Sequence, residues 1–165
     1  MDIIPMLLKE LEKEVETTRK FLALVPNDKL NWQPHQKSMS IQSLATHIAE
    51  LPSWVSLAFN TDEINFEANA YKPVLANKRD ELLELLEKNM EGGKQSLLMG
   101  KEKELEKPWT MLDGEQIYFT MSKGELIRTT LCQIVHHRAQ LGVYFRLLNI
   151  PLPQSYGPTA DLQAF

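Results

Sequence analysis

Apolar residues fall at Ile4, Leu7, Leu8, Leu11, Val15, Leu22 and Val25 with Glu and Lys between them, a three-and-four spacing that predicts an amphipathic helix. Asp2 is placed to cap it and Pro26 to stop it. Pro26, Asn27 and Pro34 make residues 26–39 read as a loop. Ser40 reads as the N-cap of a second helix whose inner stripe is Ile41, Leu44, Ile48, Leu51 and Val55. Pro52 lies inside that stripe. Its ring clashes with the carbonyl of Ile48, so a kink or break is expected about one turn after His47.

Between Asn60 and Asn77 the period is lost, which predicts a connection long enough to cross one end of a bundle. Asn77 and Asp80 have the spacing of a capping box for a third helix through Leu82, Leu86 and Met90, weakened later by Gly92 and Gly93. Trp109, Met111, Ile117, Phe119 and Met121 alternate around Asp113-Gly114, the signal of a short hairpin with a type I′ turn. Ser122 and Glu125 form a second capping-box pattern, opening a fourth helix with Ile127, Thr130, Leu131, Ile134, Leu141, Phe145 and Leu148 inside. That helix ends before Pro151. The tail from Pro151 to Pro158 is too rich in proline to be helical and is expected along the surface. The expected fold class is all-α: a four-helix bundle with a long crossover and a small β-hairpin before the last helix, with residues 1–165 as a single domain.

Composition narrows the function classes. Hydrophobic residues are 43% and charged residues 24%, as in an ordinary globular chain. With 22 acidic against 18 basic residues the net charge is -4, so there is no positive field to gather nucleic acid or anionic lipid. A single cysteine, Cys132, forbids an internal disulfide and a Cys-rich zinc framework. The first residues lack the pattern of a signal peptide, and no stretch is apolar enough to span a membrane, so a cytoplasmic protein is expected.

Candidate chemistry sits on the second and fourth helices. On a helical wheel His137 falls in the arc of Leu126, Thr130, Ile134, Leu141 and Tyr144. Gln133 lies one turn earlier on nearly the same line, Gln140 at the edge of the arc, and His136 about 100° away. His47 flanks the stripe of Leu44, Ile48 and Leu51. Polar groups pointing inward must satisfy one another, bind water or share a ligand. A divalent metal held by His47, His137 and Gln133 would meet that need and leave coordination positions open. The alternative is a pair of core histidines hydrogen-bonded to each other, to Gln133 or to a backbone carbonyl, with no ion.

The residues Trp32-x-Pro34, Lys37-Ser-Met-Ser40, Leu44-x-x-His47 followed by Trp54, and His136-His137-Arg138-Ala-Gln140-Leu141-x-x-Tyr144 occur in an order that resembles the DinB-like family. Pro151, Pro153 and Tyr156-Gly157-Pro158 extend the match over nearly the whole chain. The resemblance implies a four-helix metalloprotein related in fold to bacterial thiol-dependent transferases. It implies a metal held by one histidine on the second helix and an H-x-x-x-H pair on the fourth, positions filled here by His47, Gln133 and His137. The glutamine is a departure, because an amide oxygen is a weaker donor than imidazole toward Zn²⁺ or Ni²⁺.

The implied cofactor is a divalent ion, Zn or Ni first and Fe or Mn after them. The implied partners are a small-molecule substrate, a low-molecular-weight thiol such as bacillithiol, mycothiol or glutathione, and a second copy in a homodimer. The expected activity is metal-dependent S-transfer or hydrolysis, with catalytic residues unassigned; the rival is a non-catalytic small-molecule-binding or stress-response module with a degenerate site. Arg138 is expected in a helix-capping ion pair or tied to the tail, ahead of a clamp on an anionic substrate, and Trp32, Trp54 and Tyr144 as anchors or pocket walls. Cys132 is expected to face away from His137, and the charged runs at 9–16 and 100–107 to be solvated surface.

Overall fold

The computed structural model describes residues 2–68 and 74–162. The helices are α1 (Ile4–Leu22), α2 (Ile41–Glu50), α3 (Ser53–Asn60), α4 (Arg79–Met99) and α5 (Lys123–Leu147). The strands are β1 (Glu63–Asn65), β2 (Pro108–Asp113) and β3 (Gln116–Ser122). Both α2 and α3 pack against α4 and α5, and α1 lies against the same two helices. Leu7, Leu11, Leu44, Ile48, Leu82, Leu86, Ile127 and Phe145 meet in a fully buried interior.

The expected second helix is two helices. Its first part ends at Leu51, whose N–H reaches the His47 carbonyl, and the chain restarts at Ser53 after Pro52. Gly93 of α4 packs against that break: a Cβ there would stand 2.9 Å from the Pro52 carbonyl oxygen and 3.3 Å from Leu11. Gly92 and Gly93 do not end α4, which runs through them to Met99.

The all-α expectation is corrected by a three-stranded sheet in the order β1-β2-β3. The β2–β3 hairpin pairs Asp113 with Gln116 around Gly114 and Glu115. Among the described residues of this turn only Gly114 has positive φ, +59°, which excludes a type I′ turn because that needs two such residues and fits type II′. β1 pairs in parallel with β2, Ile64 opposite Met111. At three residues it is too short to show an alternating pattern, and it forms because the edge of β2 offers its backbone groups. The rest of the expected 60–77 connection includes residues 69–73, which lie outside the described residues.

Two helix starts also differ from expectation. Asp2 does not cap α1; the first N–H of that helix, on Ile4, donates to Glu102 Oε1 at 2.9 Å. Asn77 and Asp80 form no capping box; Arg79 N–H donates to Asn27 Oδ1 at 2.7 Å, and Asn77 N–H to Glu81 Oε2 at 2.8 Å. Ser40 caps α2 through the Ser43 N–H, and Ser122 with Glu125 makes the expected capping box of α5.

The charged run at 9–16 is not all surface. Glu14 is buried, as is Arg138, and Arg138 Nη2 stands 2.7 Å from Glu14 Oε2. Nη1 donates to the Glu14 carbonyl at 3.0 Å and to Thr18 Oγ1 at 3.1 Å, while Nη2 donates to Tyr156 Oη at 3.1 Å. Tyr156 in turn donates to Glu14 Oε1 at 2.7 Å, so the non-helical tail is clasped to α1 and α5. Arg138 is thus both ion-paired and tied to the tail.

Arg138→Met should lower the unfolding free energy by about 3–5 kcal/mol, because it leaves a buried carboxylate without its cation. The double variant Glu14→Leu/Arg138→Met should recover most of that loss. Urea denaturation of the two variants and the parent checks this.

Candidate metal centre

His47 stands on the last turn of α2 and His137 near the middle of α5, and the two rings face each other with centroids 4.7 Å apart at 79°. Both are half-buried. Burial holds each pKa below the ordinary histidine value. At His47 the neighbouring His137 adds to the lowering; at His137 the bond to Gln140 opposes it and His136 reinforces it. Both rings are therefore neutral at neutral pH, the form in which imidazole offers a lone pair.

Gln140 settles which nitrogen is free. Its Oε1 can only accept, so at 3.0 Å from His137 Nδ1 it fixes the proton there and leaves Nε2 with its lone pair. The amide nitrogen of Gln140 lies 3.1 Å from His136 Nε2 and donates to it. His136 itself is exposed, with its ring centroid 4.9 Å from that of His137.

A chamber of about 250 Å³ opens beside His47. Its apolar walls are Leu51 from α2, Trp54 from α3, Met111 and Phe119 from the hairpin, and Leu126 from α5. Thr129, Thr130 and Gln133 complete it. Gln133 is exposed rather than buried, standing at the mouth, where it also borders an outer groove of about 460 Å³ with Cys132 and His136. Cys132 is exposed on that outer side, 3.7 Å from Arg128 Nη2. Among the described residues no three His, Cys, Asp or Glu side chains gather at one point, and Gln133 shares the chamber wall with His47. Neutral donors of this kind suit a borderline divalent ion and leave its positive charge uncompensated.

The model of the DinB family matches residues 4–162. The chain belongs to the DinB family. Three solved structures share its fold: a DinB-like protein from Bacillus subtilis at 17% identity and TM-score 0.70, covering 96% of this chain and 99% of that one; a DinB-like protein from Bacillus cereus at 18% and 0.69, covering 91% and 95%; and a candidate DinB member from Exiguobacterium sibiricum at 20% and 0.71, covering 93% and 97%. No curated protein matches the chain. Among the described residues no helix is long and apolar enough to cross a membrane.

Within this DinB chain, the residue that sequence reasoning left at the margin is Gln140. Its signal was present in the His136-His137-x-x-Gln140 spacing, since residues three and four apart share a helix face. Trp54 is a chamber wall, as one of the two expected roles allowed. Trp32 and Tyr144 instead pack edge to face at 5.6 Å, and Tyr144 Oη donates to the Met39 carbonyl, so they anchor the 26–39 loop.

Lowered histidine pKa values mean that the folded protein binds fewer protons than the unfolded chain below about pH 6.5. Stability contributed by the neutral pair is complete above that pH and is lost as pH falls toward the folded values. In chelator-treated protein, the urea midpoint should fall more between pH 7.5 and 5 for the parent than for His47→Leu, which lacks half of the pair.

Proposed function

We propose that this protein is a divalent-metal-dependent enzyme of the S-transferase or hydrolase kind, with His47, His137 and Gln133 as the metal-holding residues. The observation that carries the reading is the convergence of two neutral imidazoles from separate helices, one of which, His47, lines an apolar chamber. Two imidazoles bound to one tetrahedral ion at about 2.0–2.1 Å per bond have ring centroids about 5 Å apart. The observed 4.7 Å is close to that separation. In this reading α2 and α3 are one broken column of a four-helix bundle, and the sheet is an excursion that closes the chamber.

Each residue has a defined part. Gln140 keeps the His137 proton on Nδ1 and so presents Nε2. Leu51, Trp54 and Leu126 supply apolar walls that limit water around His47. Gln133, as a weak neutral donor, leaves room for an incoming thiol or water. When bound, the ion supplies a Lewis acid that lowers the pKa of such a thiol or water. A low-molecular-weight thiol is the co-substrate that fits the family resemblance.

A second reading has its own observation. The His137–Gln140–His136 chain satisfies polar groups without an ion, which suits a non-catalytic small-molecule-binding module with a degenerate site.

Metal analysis of protein purified without chelator separates the two. The parent should carry near-stoichiometric Zn or Ni, and His47→Ala and His137→Ala should carry little; equal, negligible content in all three selects the second reading. Gln133→His should tighten Zn²⁺ or Ni²⁺ binding by adding a better donor. Gln140→Leu should weaken it about 10–100-fold with the helical content unchanged, by releasing the His137 ring.

A further inference from the structure

The two cavities differ in chemistry although Thr129 and Gln133 border both. The outer groove carries charge: Arg128 paired with Glu10, and Glu125 held by the Ser122 hydroxyl and N–H. Among the described residues no charged side chain lines the inner chamber. Nor does it offer a free hydroxyl at depth, because Thr130 Oγ1 donates to the Leu126 carbonyl at 2.9 Å. Thr129 and Gln133, the polar groups left on the wall besides His47, are exposed at the mouth. A charged ligand moved inside would lose hydration without finding a partner.

We infer that the inner chamber receives an uncharged, apolar group, about one aromatic ring with a short chain, on a small ligand whose polar atom ends beside His47. The size follows from the volume. A dry cavity of about 150 Å³ holds benzene, and this one is about 250 Å³. The rings of Trp54 and Phe119 on its walls present faces and edges to an aromatic guest. The inference deepens the metal reading, resting on it only for what the polar atom meets.

The test uses the full chain after chelator treatment, with benzyl alcohol, benzoate and benzylammonium titrated by ligand-observed NMR. Benzyl alcohol should bind saturably and about tenfold or more tighter than either ion. Thr129→Trp fills the chamber from a solvent-accessible helix position, and it should weaken benzyl alcohol about tenfold with the circular dichroism unchanged. Should that variant fail to fold, Met111→Trp narrows the chamber from the strand side. Charged analogues binding as well as the alcohol, or a folded filling variant binding it normally, would overturn the inference. The metal reading is scored separately by phenylmethanethiol. Tighter binding after Zn²⁺ loading supports both readings, whereas no tightening with benzyl alcohol binding intact sinks the metal reading and upholds the apolar chamber.

Discussion

The rotational setting of α5 depends on Arg138. Its guanidinium is buried against Glu14, Thr18 and Tyr156, and a buried ion pair is expensive to separate because either charge left alone keeps its desolvation cost. Successive residues on a helix point about 100° apart. Holding residue 138 toward α1 therefore turns residue 137 toward α2, where His47 waits. The same contacts draw Tyr156 down and fasten the proline-rich tail, aided by the Arg146–Asp161 pair at 2.7 Å. A cluster outside the chamber thus aims the side chain on which the chemistry rests.

The second constraint is the break at Pro52. It ends α2 just beyond His47, and α3 follows after Leu51 and Pro52, whose backbones stay in the right-handed helical region, so that Leu51 and Trp54 both border the chamber. The junction packs closely on α4 at Gly93, where any side chain would meet the Pro52 carbonyl. One proline and one glycine on different helices thus act as a matched pair in the packing of α4 against the α2–α3 junction.

The site is electrically quiet for a protein with 40 charged residues, 22 acidic and 18 basic. The charges stay in the outer groove or on the surface, and the chamber keeps apolar walls and neutral histidines. Membership of the DinB family accounts for the helical frame, but a shared fold hosts many chemistries. The chemistry of this chain is local: glutamine at 133, a second glutamine at 140 joining His136 to His137, and a chamber with no charged side chain among the described residues that line it.

Sequence by itself determined whatever depends on residues within about one helical turn of each other. The buried stripes, the Ser40 and Ser122 caps, the Pro52 break, the hairpin and the inward bias of His47 and His137 are all of this kind, because periodicity and capping act over three or four residues. Tertiary structure decided the rest. Glu102 caps α1 and Asn27 caps α4 from distant segments, β1 exists only as the neighbour of β2, and Glu14, one acid in a charged run, is buried because Arg138 lies opposite it. The position of Gln133 at the mouth rather than in the core belongs here too, since a wheel gives an angle but not the distance to the facing helix. Partners remote in the chain leave no local trace, and the free energy that selects them arises only when the elements pack.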